Sequence, residues 1–183
     1  MKQSGKVALG GVFGALSLLF MLLTVFPMAT YALPAIAGAL LIPVVVGAGV
    51  KTGWMVYGAV ALLSLFVAPD MQAKVMFIAF FGYYPVLKSQ LERLNRRWVE
   101  WIVKLGIFNA AMILSYLAML FVFGLEADTF VIGGVNVAWA FLLVGNVVFV
   151  IYDYALSNLV TVYFRVLHPR LSRVFRWNRT GRR

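Results

Sequence analysis

The chain contains no cysteine and one histidine, and only six of its 183 residues are acidic. The first absence excludes disulfides, thiolate nucleophiles and cysteine-based metal sites. The second argues against a metal or acid/base centre built on imidazole, because His168 stands alone beside Pro169 in a basic tail. No His-Glu zincin pair, phosphate-binding glycine loop followed by Lys-Ser/Thr, or Gly-x-Ser-x-Gly elbow occurs, so the sequence points away from an enzyme and implies no cofactor. Set beside a hydrophobic content of 63%, so few acids leave too little polar surface to cover a soluble domain.

What is present is a series of six apolar runs, which predicts an all-α membrane protein: a six-helix bundle in a single domain over residues 1–183. The first run is Val7 to Phe26, stopped by Pro27, and the second is Leu33 to Gly49 with Pro43 inside it. The third is Trp54 to Ala68, closed by the turn pair Pro69-Asp70. A short, aromatic fourth run from Ala73 to Leu87 is interrupted by Gly82 and Pro85, so it must be shielded by neighbours, thin the bilayer or be partly non-helical. The fifth and sixth are Trp101 to Phe123 and Val137 to Phe164. Lys2 and Lys6 before an apolar run, with Ala35-Ile36-Ala37 downstream, resemble a secretory signal, but a run of this length spans a bilayer instead.

Charge sets an orientation. All of the sixteen lysines and arginines except Lys74 fall on one side of these runs, which predicts that both termini are cytoplasmic. The net charge of +10 is concentrated in loops and tail, where anionic headgroups or an acidic partner subunit, rather than nucleic acid, supply the counterions. Arg165, Arg170, Arg173 and Arg176, mostly three apart, read as a segment bound to headgroups. Between the fourth and fifth runs, Lys88 to Glu100 reads as a short charged cytoplasmic helix, with Glu92 to Arg96 and Glu100 to Lys104 in the favourable acid-first order.

Several residues are candidates for function. Ala8, Gly11 and Ala15 form one stripe of small residues on the first run, with Gly10, Gly14 and Ser17 on an adjacent one. Such stripes let another helix approach closely, from this bundle or from another subunit. Asp153 lies twelve residues, or about 18 Å, from Arg165 along a helix, and so near mid-bilayer. There it must face the interior, be paired or be protonated. Asn146, Asp153, Ser157 and Thr161 share its face, and Asn109 and Tyr116 share a face of the fifth run that completes a polar interface. This set suits either a structural clasp or the handling of a substrate, cation or proton. On the outer side Asp70, Glu126 and Asp128 stand where an arriving ligand meets the chain, and the aromatic fourth run, Tyr84 included, offers stacking surface or an interfacial anchor.

The segment Lys6-Val-Ala-Leu-Gly-Gly-Val-Phe-Gly-Ala-Leu-Ser17, the glycine- and proline-rich second run and the short loop after the third resemble the substrate-binding S-components of energy-coupling factor transporters. That resemblance implies a cell-membrane protein, in a bacterial cytoplasmic membrane, which captures a small vitamin-like nutrient from outside. A transmembrane coupling subunit and ATPase subunits would drive uptake. In that family small residues of the first span, here Gly11 and Ala15 with Ala8 one turn earlier, dock the coupling subunit. The pocket lies toward the outer ends of the later spans, which favours Asn146 and Tyr116 as ligand contacts. Two other readings of the residues stay open. One is a scaffold similar to the rod-shape membrane protein of wall elongation, and the other is a small secondary carrier using Asp153.

Overall fold

The computed structural model describes residues 3–26, 29–93, 96–121, 124, 131–132, 135–136 and 138–167. Arg170, Arg173, Arg176 and His168 of the tail, and the loop acids Glu126 and Asp128, lie outside the described residues. Apart from a two-residue antiparallel pair, β1 (Val131–Ile132) and β2 (Val135–Asn136), the described elements are helical.

The long elements are α1 (Gln3–Leu22), extended by a 3-10 turn, α4 (Val50–Val67), α7 (Arg97–Phe121) and α8 (Ala138–Val162), which runs on into a π-helical turn. Four stretches, Gln3–Val25, Val50–Val67, Arg97–Phe121 and Trp139–Arg165, are long and apolar enough to cross a membrane. At about 1.5 Å per residue they reach about 27 to 40 Å, against a hydrocarbon core of about 30 Å. Their outward faces carry Leu19, Leu62, Phe66, Leu114, Val147 and Ile151, all exposed, which in water would be a large apolar liability. This is the pattern of a membrane-embedded protein.

Between them lie two broken elements. The second apolar run is not one helix but α2 (Ala32–Ala39) and α3 (Ile42–Ala48), separated at Leu40-Leu41. Pro43 sits in the first turn of α3, and without an N–H it cannot donate to the carbonyl four residues earlier, so the helix restarts there. Gly49, at φ 98°, then turns the chain into α4 in a conformation that side chains resist. The fourth run is longer than expected and equally interrupted: α5 (Met71–Met76), a π-helical turn Phe77–Phe81, and α6 (Tyr84–Leu91) with Pro85 in its first turn. The Gly82 N–H reaches the Phe77 carbonyl at 2.8 Å, the five-residue step of a π-bulge. Among the described residues, no separate linker helix occurs over Lys88 to Glu100. The first residues of that stretch finish α6 and its last ones open α7, because the lysines are drawn inward as described below.

The two small-residue stripes of α1 take different roles. Gly10 and Gly14 lie against Val56 of α4, which a Cβ would meet at 2.9 and 3.1 Å, and the Ser17 hydroxyl donates to the Ala37 carbonyl at 2.8 Å. That stripe is spent inside the bundle. Ala8, Gly11 and Ala15 face outward and are exposed.

Asp70 is a helix cap. Its Oδ1 accepts from the Gln72 and Ala73 amides at 2.8 and 3.3 Å, and its Oδ2 accepts from Thr30 at 2.7 Å, tying the loop before α2 to α5. Asp70→Ala is expected to cost about 1–2 kcal/mol, and Asp70→Asn distinctly less, in thermal unfolding of the detergent-solubilised protein. Equal losses for both would show that charge, and not capping, is what matters.

Candidate functional site

Three layers are stacked along the bundle. At one end, toward the C-terminus of α7 and the N-terminus of α8, is a cavity of about 570 Å³. Its walls include Tyr31 before α2, Gln72 and Met76 of α5, Met112, Tyr116 and Met119 of α7, and Trp139, Leu142 and Gly145 of α8. Among the described residues, no side chain that lines it is charged. The broken elements make room for it, since a π-bulge displaces Phe80 and Phe81 from the register of a regular helix and turns both into the cavity wall.

The floor is a compact aromatic layer. Phe108 and Phe149 stack at 4.7 Å with planes 14° apart, and Phe80 meets both edge-on at 5.2 and 5.7 Å. Such geometries suit the ring quadrupole and add about 0.5–1.5 kcal/mol per pair beyond area burial. Phe80 also stacks on Tyr84 at 4.8 Å, so Tyr84 lies beneath the floor, fully buried. Tyr152 closes the side, donating to the Ala35 carbonyl of α2 at 3.2 Å.

Beneath the floor is a buried charge cluster. Asp153 Oδ1 accepts from the Tyr84 hydroxyl and from Lys88 Nζ, each at 2.6 Å, and Lys104 Nζ lies 3.2 Å from the same carboxylate. Each lysine also holds a glutamate: Lys88 pairs with Glu92 at 2.7 Å, and Lys104 with Glu100 at 2.6 Å. The lysine side chains are only 4% and 2% exposed, whereas Glu92 is 42% exposed, so the cluster runs from a dry interior to a wet edge. Lys104 lies 5.4 Å from the centre of the Trp101 ring, a further contact for its charge. The cluster joins α6, α7 and α8 at the end opposite the cavity. Of the alternatives for Asp153, the structure shows a carboxylate that faces the interior and is paired. Its partners are lysines from α6 and α7, with the long stems carrying their charges inward to it.

The sequence candidates thus separate. Tyr116 lines the cavity. Asn109 and Asn146 are bonded to each other instead, each amide nitrogen donating to the other's oxygen at 2.8 and 3.0 Å and also to the carbonyl one turn back in its own helix. Their donors are saturated and neither lines the cavity. Asp153 and Tyr84 belong to the cluster. Ser157 and Thr161, on the same stripe, bond to carbonyls of α8 one turn earlier. Arg165 is exposed at the basic end. Lys88 and Lys104 were not among the site candidates. The signal that could have found them is that each has an acid four residues away, and that a mid-span carboxylate needs a cation within reach. The cavity-lining methionines and phenylalanines of α7 and α8 carry no sequence mark that separates them from lipid-facing ones.

The chain matches no family model, no curated protein and no solved structure. Its function is therefore argued from the site.

Proposed function

We propose that this chain is the substrate-binding subunit of a membrane transporter, of the energy-coupling factor type that its N-terminal segment resembles. It captures a small molecule on the outer side, and partner subunits supply the ATP-driven step. The observation that carries this reading is the cavity. It is pocket-sized by the usual range of about 300–1,000 Å³, it is walled in part by the interrupted fourth run, and it lies on the far side of the aromatic floor from the lysine cluster. With the basic residues in the cytoplasm, the cavity faces outward. On this reading the two broken elements, Ala32–Ala48 and Met71–Leu91, are taken as two further passes beside the four long helices, which would return both termini to the cytoplasmic side. A scaffold needs no such cavity, and a carrier built on Asp153 would need that carboxylate in the pathway, whereas it is held by two lysines below the aromatic floor.

The exposed stripe of Ala8, Gly11 and Ala15 is the face such a subunit offers to a coupling partner, since small residues allow close backbone approach in lipid. Native mass spectrometry of the purified protein is expected to show one bound small molecule. Ala8→Leu with Ala15→Leu is expected to leave that binding intact and to cut partner-dependent uptake at least about tenfold, a loss of about 1.4 kcal/mol in docking. A protein that carries no small molecule and captures none from a cell extract would defeat the reading.

A further inference from the structure

We infer that the molecule taken by this cavity is uncharged and lipophilic, an apolar ring or chain with at most a few weak hydrogen-bonding groups. The inference rests on the cavity being the ligand site, as proposed above, and names the chemistry of its occupant. Three observations carry it.

Among the described residues, the wall holds no ionised side chain. Lys88, Lys104 and Asp153 lie beneath the Phe80–Phe108–Phe149 floor and are already paired with one another and with glutamates, and Asp70, beside Gln72, is taken up by Thr30 and by the amides of Gln72 and Ala73. A carboxylate, phosphate or ammonium entering the cavity would shed its hydration without gaining a counterion.

Polar groups on the wall are few and several are engaged. Ser115 donates to the Ala111 carbonyl and Tyr152 to the Ala35 carbonyl. Tyr31, Gln72, Tyr116 and Trp139 add hydroxyl, amide and indole groups to the wall, too few to replace a hydration shell. The aromatic floor leaves little face for a cation, because its rings turn faces and edges toward each other.

The wall also continues without a polar rim onto the outer surface of α8. Phe141, Val144 and Val148 line the cavity yet are 58%, 63% and 57% exposed, so the same stripe faces acyl chains. A lipid-soluble molecule can therefore reach the cavity from the bilayer, a route closed to an ion.

The test compares three probes of one ring size on the full chain in phosphatidylcholine nanodiscs: neutral N-phenyl-1-naphthylamine, its 8-sulfonate, and a naphthyl-trimethylammonium cation. Binding is read as the saturating part of energy transfer from tryptophan, for which Trp139 in the wall is placed. The neutral probe is expected to saturate at one equivalent, and both ions to bind on the order of a hundredfold more weakly. Gly145→Phe and Leu142→Trp, two independent ways to fill the cavity, are each expected to weaken the neutral probe at least about tenfold. An ion that binds as tightly as the neutral probe would overturn the uncharged ligand while leaving the cavity as a binding site. No saturating signal from any probe, or one unmoved by either filling variant, would overturn the cavity reading as well. The comparison of charges needs only the wild-type chain, so a variant that fails to fold does not blunt it.

Discussion

Asp153→Ala is expected to lower the stability of the solubilised protein by about 3 kcal/mol or more, and to loosen the contacts among α6, α7 and α8 together. Two effects add. The hydroxyl of Tyr84, fully buried, loses its carboxylate acceptor, and the two buried lysines lose the acid that they share. Glu92 and Glu100 still hold one lysine each, which keeps the loss below that of a wholly unpaired buried charge. Asp153→Asn retains the shape and an acceptor for Tyr84, so it should lose less. The decisive control is the replacement of the whole cluster, Asp153→Asn with Lys88→Met, Lys104→Met, Glu92→Gln and Glu100→Gln, which is expected to recover most of the stability, because removing a whole buried charge cluster costs far less than unbalancing it. Unfolding in detergent, followed by helical content, measures all three. Wild-type stability in Asp153→Ala would mean that the cluster does not hold the helices together.

The second large effect concerns backbone rather than charge. Gly38→Ala is expected to cost about 3 kcal/mol or more, near the upper range for overpacking. A Cβ at this position would fall 2.0 Å from the Phe81 carbonyl oxygen and 2.7 Å from its carbon. Both are main-chain atoms of the π-helical turn, so no rotamer change relieves the clash, and α2 must withdraw from that turn. The Tyr152 hydroxyl, 3.4 Å from the same point and bonded to Ala35, would be displaced with it. Gly11→Ala is the matched comparison, because nothing lies within 4 Å of its Cβ. It should be neutral or slightly stabilising, since alanine is about 1 kcal/mol better than glycine inside a helix. Equal stability of the two variants would show that α2 does not approach the turn so closely.

These two predictions also mark what could and could not be read along the chain. The breaks were legible: Pro43 and the pair Gly82 and Pro85 are where the second and fourth runs change course. Asp153 was legible as a residue in need of a partner. Its partners were not, because Lys88 and Lys104 sit near the ends of apolar runs and read as cytoplasmic loop charges. A lysine stem is long enough to carry a charge inward as readily as outward. Asn109 and Asn146 were legible as a polar pair between two spans, but only their mutual distance shows that each amide is used up by the other and by its own helix.

By itself the sequence determined the class of molecule. An apolar content far beyond what a soluble core can bury, with charge of one sign gathered at the gaps, leaves a helical membrane protein, since only helices or closed barrels satisfy backbone polar groups in lipid. Only the tertiary structure decided which stripe of α1 is spent on α4 and which stays open, where the lysines end, and that an aromatic floor separates a largely apolar cavity from a buried ion cluster. The physical reason is that apolar side chains obey the same periodicity whether they face lipid, a neighbouring helix or a cavity. Hydrophobicity sorts residues between water and not-water, and packing alone sorts them within the membrane.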